Sequence, residues 1–503
     1  MAQDAFSRTR GLSLNATGSA SYRLDKQTQL NADFYYFGHD SDAALSSRYR
    51  SSAPTGPLAQ DYDSTGPSQT SGDGFGVSTT YVRQLGGDDH DVTLRLGYAN
   101  YLSSSDTLTL QAYQVPIQPD LFQDLAARFS QSELDWKAEY KGPLAKGKLD
   151  AGFEGHADRD QNGNQGSLGT SGADAAPDPA LTNRFDFDLN VDALFATYQR
   201  SFGKLDVMPG LRLEEVEFSF HQAASPLITR SSYFEAYPTL HLGYQLDANA
   251  QLTASYSRRV SRPGAQQYDP VRIYDNPLFF TQGNPNLKPT ITNSYEAAYE
   301  YTKGETYFTA TSYYRDTGNM VSDILQSLGG AALLSTVANI GHSRTAGEEL
   351  VANAPITKTL SVNVSGNLLW DDIVAPNNGV ETAQSGAEMY GRVKLNWNPT
   401  KSDFVQLSAF AQGRQLTAQG SISSWGYLDI GYRHKFNDRL AGEITVIDPL
   451  DSVRFREGLE TADLDQHTVE NLNLRAVSIG VTYTFGASHK PPAKDFEFDT
   501  GGR

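Results

Sequence analysis

Residues 12–24 place Leu12, Leu14, Ala16, Ala20, Tyr22 and Leu24 on one parity and Ser13, Asn15, Thr17, Ser19, Ser21 and Arg23 on the other. Successive side chains of a strand point to opposite faces, so this alternation predicts a strand with one apolar and one polar face. The pattern returns as Leu30, Ala32, Phe34 and Tyr36 against Gln29, Asn31 and Asp33, and as Val92, Leu94, Leu96 and Tyr98 against Thr93, Arg95 and Gly97. Leu360, Val362, Val364, Leu368 and Trp370 oppose Ser361, Asn363, Ser365 and Asn367; Val477, Ile479, Val481, Tyr483 and Phe485 oppose Ser478, Thr482 and Thr484. Nineteen such segments run along the chain, centred near 18, 33, 79, 96, 135, 152, 194, 212, 238, 255, 298, 311, 348, 365, 393, 408, 430, 444 and 479. No amphipathic helical period of comparable quality accompanies them.

The connections carry a second regularity, because short and long ones alternate. DKQ, GGDD, GPLAKG, FGK, LDANA, TKGE, PITK, NPTKSD and FND are short; between them lie long or intermediate stretches near 41–72, 102–127, 158–183, 263–292, 316–337, 371–387 and 448–470. A soluble sandwich or propeller has no physical reason to gather its long loops at one end. An outer-membrane barrel has, with short periplasmic turns, long extracellular loops and strands that face lipid on one side and the lumen on the other. The fold expected is therefore an all-β, transmembrane antiparallel β-barrel. Pairs such as Tyr35 and Tyr36, Tyr98 and Tyr101, Tyr299 and Tyr301, and Tyr313 and Tyr314 fit aromatic girdles at the two interfaces.

Composition agrees. Of 503 residues 39% are hydrophobic, below the usual globular share, while Tyr (27), Phe (24) and Gly (44) are plentiful. No stretch approaches the ~20 apolar residues of a membrane-spanning helix; residues 329–341 come nearest and are too short and too polar. Cys is absent, which excludes disulfides and thiolate metal sites and suits an oxidising compartment. A net charge of −18 without a basic run argues against nucleic acid.

Parity adds an expectation. If the last strand descends to the periplasm, every odd-numbered strand descends, including the first, whereas single-chain bacterial barrels have even counts with both ends periplasmic. At least one strand is then expected upstream, the rival explanations being a miscounted segment or a genuinely odd barrel like the 19-stranded mitochondrial channel; strands 1 and 19 would meet in parallel or leave an open edge. The N-terminus, MAQDAFSRTRG, lacks the charged and apolar regions of a signal peptide.

Residues 257–301 carry a family resemblance. Arg262 and Pro263, then Gly283, Asn284, Pro285, Leu287, Lys288 and Pro289, then Tyr295 and Glu296, resemble the barrel domain of TonB-dependent outer-membrane receptors, of the outer membrane protein beta-barrel type. Residues 339–357 and 443–456 resemble two further strands of that family. The resemblance implies a receptor that imports a scarce small-molecule or oligosaccharide ligand, such as a siderophore or vitamin. It also implies a plug domain in the lumen and the energy-transducing partner TonB. Neither the plug nor its partner-contacting segment is visible before residue 11. Because such transporters have 22 strands, about three strands are unaccounted for. Residues 1–486 are expected to form the barrel, N-terminally truncated and unable to transport actively alone, and 487–503 a polar tail. A plugless passive porin is the alternative.

Chemistry beyond the barrel is sparse. Nine histidines are scattered singly without metal-ligand spacing, and no cofactor is expected. Asp158, Asp160, Asn162 and Gly163 imitate the start of a calcium loop, but Gly169 stands where the bidentate Glu is required. Gly72, Gly74 and Gly76 do not form a phosphate-binding fingerprint. No local pattern favours a barrel hydrolase, so an enzyme is not expected. Arg258, Arg259 and Arg262 are candidates for contacting an anionic ligand or the phosphates of outer-membrane lipid and lipopolysaccharide; the competing assignment pairs them with lumenal Asp and Glu.

Overall fold

A computed structural model of the chain describes residues 2–485 apart from 53–57, 88, 224–227, 277–278, 330–331, 378–379, 461–464 and 473. The expected polar tail, 487–503, lies outside the described residues. Nineteen long strands, joined by three short ones, form one sheet among the described residues; the long ones begin with β1 (Ala2–Arg23), β2 (Thr28–Ser52), β3 (Leu58–Gln84), β4 (Asp91–Val115), β5 (Leu121–Leu144), β6 (Gly147–Gly169) and β7 (Asn183–Phe202). Then come β8 (Leu205–Gln222), β9 (Ile228–Gln245), β10 (Ala250–Ser261), β11 (Thr290–Lys303), β12 (Thr306–Gly329) and β13 (Ala332–Pro355). The remainder are β14 (Leu360–Asn377), β15 (Val380–Trp397), β16 (Asp403–Gln412), β17 (Trp425–Lys435), β18 (Leu440–Ile447) and β19 (Ala476–Tyr483). Each pairs antiparallel with its successor. Every expected strand centre falls inside one of these strands.

The connections at one end are short: 24–27, 85–90, 145–146, 203–204, 246–249, 304–305, 356–359, 398–402 and 436–439. In two of the tightest, Gly203 (φ 67°) and Gly304 (φ 61°) take the left-handed backbone that only glycine adopts without strain.

The stretches expected to be long loops differ from that expectation. Residues 41–52 and 58–72 extend β2 and β3, 102–115 and 121–127 extend β4 and β5, and 316–329 and 332–337 extend β12 and β13 as continuous ladder. A spanning strand needs only ~9–11 residues, so β3, with 27, projects far beyond the bilayer. The backbone ladder continues outside lipid, where each bond competes with water and stabilises less than inside. With water on both faces, however, the apolar-polar alternation that identified the strand in sequence disappears.

Among the described residues outside those strands, Ala176–Pro177 pairs with β6 and Ile273–Asn276 with Phe279–Gln282, which also pairs parallel with the start of β13; two further stretches are 413–424 and 448–475. The last two contribute a separate small sheet, Gln415–Thr417, Gly420–Ile422, Arg454–Glu460 and Asp465–Asn471. It rests on the extended hairpins: Gln419 bonds both the N–H (2.7 Å) and the carbonyl (3.1 Å) of Leu325, and Ala418 joins Ile340, Ile373 and Ala375 in a buried cluster.

Because the count is odd, β1 and β19 run in the same direction. Among the described residues β1 pairs only with β2 and β19 only with β18, so each keeps one open backbone edge. Of the two closures expected from parity, the open edge is the one found.

Candidate functional site

The two faces of the sheet separate cleanly. One carries Leu194, Leu211, Phe234, Leu252, Tyr295, Leu368, Trp370, Ile479 and Val481, all exposed. That is a lipid-facing wall. The residues between them point into the lumen and include charged groups that are almost fully buried, such as Glu139 and Glu214.

A ladder of alternating charge crosses this inner wall through β5, β6, β8 and the end of β10. Glu139 accepts from Lys137 (2.9 Å) and Lys141 (3.1 Å), and Lys137 also approaches Glu154 at 3.8 Å. Glu154 pairs with Arg212, Arg212 with Glu214, and Glu214 with Arg262, whose Nε donates to the Tyr233 hydroxyl at 3.0 Å. The ladder exists because period two puts Lys137, Glu139 and Lys141, or Arg212 and Glu214, on the same face one step apart. Buried charges require partners of this kind.

The three candidate arginines therefore separate. Arg262 is committed to Glu214 and Tyr233, and Arg258 pairs with Glu235 at 3.0 Å. Arg259 is exposed and makes no ion pair among the described residues. The structure does not bring the three together as one cationic pocket. Signals for the partners were present as the short runs KAEYK and RLEE, whose same-parity charges show an inner face but not which strand they meet.

The other resemblance residues build a loop rather than a cavity. Pro263 is buried and follows Arg262 directly; Ala265–Tyr268 forms a single helical turn that drops Tyr268 onto three inward-facing phenylalanines, with ring centroids 5.6 Å from Phe187, 5.5 Å from Phe218 and 6.1 Å from Phe220. Leu287 enters the same cluster with Phe185 and Val337. Gly283 donates to the Asp269 carbonyl at 2.8 Å and Asn284 to the Gln267 carbonyl at 2.7 Å. A Cβ at Gly283 would lie 2.6–2.7 Å from three backbone carbonyl oxygens, so no larger residue fits. The Asn284 side chain donates to Val337 O (3.1 Å) and accepts from Asn286 N (3.0 Å), and the Asn339 side chain bonds Lys288 on both backbone groups.

Pro285 is half-buried, and Pro289 precedes Thr290, the first residue of β11. Neither proline offers an N–H, so the ladder cannot run back into the loop. Tyr295 lies on the outer wall beside Tyr256 (5.0 Å) and Tyr314 (6.3 Å); Glu296 points inward, accepts from Ser294 (3.0 Å) and approaches Arg315 at 3.8 Å.

Burial pushes the Tyr268 phenol up to about 12 and raises the Asp269 carboxyl against the opposing N–H of Val271. The calcium-like run is not a loop, since Asp158 and Asp160 sit in the β6 ladder opposite Glu133 and Gln131. Among the described residues no three His, Asp or Glu side chains converge closely enough to hold a metal ion. Gly72, Gly74 and Gly76 lie in β3 opposite His39, Phe37 and Tyr35, whose side chains occupy the space the glycines leave. Sequence reading missed this aromatic arrangement.

A sequence model described as the outer membrane protein beta-barrel family matches residues 83–483. No curated protein matches the chain. Among solved structures, the siderophore receptor PiuA from Acinetobacter baumannii is similar with a TM-score of 0.60 at 11% identity, over 96% of this chain and 81% of that one. The copper transporter OprC gives 0.61 at 12% identity, over 96% and 81%. The ferric-catecholate import receptor Fiu from E. coli K12 gives 0.59 at 12%, with the same coverage. At these identities the likeness is one of fold.

Proposed function

This chain belongs to the outer membrane protein beta-barrel family, and on that premise we propose that it is the receptor barrel of a TonB-dependent importer, taking up a scarce ligand such as a siderophore, a vitamin or an oligosaccharide. Its location is the bacterial outer membrane. The observation that carries the reading is the inner wall. It is polar and ion-paired, its strands rise far above the bilayer, and the loop bearing the resemblance is locked into its upper part. Similarity of fold to a siderophore receptor, a copper transporter and a ferric-catecholate receptor supports an import role.

The open edges of β1 and β19 support a further part of the proposal. Unpaired backbone is not tolerated in hydrocarbon, so these edges are paired in the membrane by an odd number of additional strands, three of them giving the 22 of plugged transporters. Force-driven import also requires a plug and TonB, and in this reading the barrel supplies the scaffold and the receptor face.

Two measurements test it. Cells that depend on the intact natural protein for a scarce nutrient should stop growing when TonB is removed. A stable open channel of defined size from the intact protein in planar bilayers would support a passive porin and defeat the receptor reading.

A further inference from the structure

Most lumenal charge described above is balanced, but one region of the inner wall is not. Just above Lys137, the inward positions of β5 are Asp135 and Glu133, and those facing them on β6 are His156 and Asp158, followed by Asp160. Four carboxylates thus share one patch. The side chain that meets them is His156, its Nε2 3.8 Å from Asp158. Asp160 is 8% exposed, and its Oδ1 is buried without a hydrogen-bond partner. An oxygen left unsatisfied at that depth is costly for as long as the carboxyl is ionised, and a cation beside it would offset that cost.

The neighbouring wall is aromatic and flat. Tyr35 and Phe37 on β2 stack at 6.4 Å, Phe37 meets Tyr101 on β4 at 5.6 Å, and Tyr101 meets Phe129 on β5 at 5.8 Å. Their rings lie down because β3 opposes them with glycine: a Cβ at Gly76 would come within 2.3 Å of Tyr35, and one at Gly74 within 2.6 Å of Phe37. Tyr101 is the register partner of Gln131, and Ala99 and Gly97 are those of Glu133 and Asp135. Small side chains therefore leave a shelf between the rings and the carboxylates. Arg95, opposite Lys137, bounds the shelf one step below, and Lys137 itself is held by Glu139.

We propose that this shelf selects the ligand by charge and shape, taking a cationic, ring-bearing organic molecule whose positive group sits among Glu133, Asp135, Asp158 and Asp160 while its ring lies on Tyr35, Phe37, Tyr101 and Phe129. Aromatic faces attract cations as carboxylates do, so both surfaces favour the same sign of ligand. This inference rests on the receptor reading and deepens it by naming the substrate class.

The test is calorimetric titration of the intact natural protein in detergent with three probes of similar size: benzyltrimethylammonium, benzyl alcohol and benzenesulfonate. The cation should bind at least tenfold more tightly than the other two and weaken as salt is added. The E133Q/D158N/D160N variant, and the milder D160N alone, should lose most of that preference while keeping a native circular dichroism spectrum. Tyr101→Ala should weaken the cation and the alcohol together. Equal or tighter binding of the sulfonate, an unchanged preference in both carboxamide variants, or no binding of any probe would overturn the proposal. The growth and conductance experiments do not depend on ligand charge, so failure here leaves the receptor reading to be judged separately.

Discussion

Asn339 on β13 and Lys288 in the loop before β11 bond to each other twice: the Lys288 N–H donates to Asn339 Oδ1 at 2.8 Å, and Asn339 Nδ2 donates to the Lys288 carbonyl at 2.8 Å. Fifty-one residues apart in sequence, the amide reads the loop as a neighbouring strand would, and Nδ2 reaches the Asn319 carbonyl as well, at 2.8 Å. The stiffness of the proline-rich stretch is thus matched by a specific mooring. Asn339→Ala removes these bonds and should loosen the loop by about 2 kcal/mol, on the usual cost of stranding polar partners. Hydrogen exchange should show faster protium loss at Lys288 and Leu287 and little change in β5 or β6. Unaltered protection across 283–288 would show that the mooring is incidental.

Gly283 should be intolerant of any side chain. Three backbone carbonyls crowd its Cβ position, whereas nothing lies within 4 Å of the corresponding position at Gly264 in the same loop. Gly283→Ala is expected to cost roughly 1–3 kcal/mol, as overpacking does, and to expose the loop to limited proteolysis. Gly264→Ala should cut no faster than the parent. Equal sensitivity of the two variants would count against the packing argument.

Alkali should unseat Tyr268. Its phenol titrates near 12 when folded, above the ordinary value of 10, so the stabilisation it reflects is complete below pH 10 and lost as the pH rises towards 12. Asp269 is raised in the same direction from the carboxylate range, and its contribution is lost earlier, as pH rises through that raised value. Tyrosinate absorbance should show a late phase whose amplitude falls by one phenol in Tyr268→Phe. If the variant keeps the full late phase, the ring is not buried as described.

Leu194 stands on the outer wall, 60% exposed, while Ala193 beside it is buried on the inner one. Leu194→Arg should therefore destabilise the bilayer-inserted barrel by about 2–4 kcal/mol, the depth-dependent cost of arginine on a lipid face. Denaturant unfolding from vesicles measures it, and a cost near zero would place this residue in water.

The membrane-spanning parts of the fold were legible because lipid on one side and a polar lumen on the other impose a period that sequence displays directly. Leu96, Leu368 and Ile479 could be assigned a face from the sequence. Above the bilayer that contrast vanishes, so the upper parts of β2, β3, β4 and β5 were expected to be loop. Arg262 illustrates the other limit. Its place after a strand was readable, but its commitment to Glu214 depends on β8 and β10 lying on either side of β9, which no local pattern encodes. The seat of Tyr268 on Phe187, Phe218 and Phe220 was hidden for the same reason.

Cysteine scanning of β14 tests the central claim most directly, because the chain has no Cys of its own and each introduced thiol reports alone. In vesicles, spin labels at Val364, Leu368 and Trp370 should be relaxed by oxygen dissolved in lipid, and labels at Asn363, Asn367 and Asp371 by a water-soluble metal complex. Strict alternation between the two relaxants is the result predicted for a barrel wall between bilayer and lumen. Uniform access to the aqueous relaxant at all six positions would contradict it.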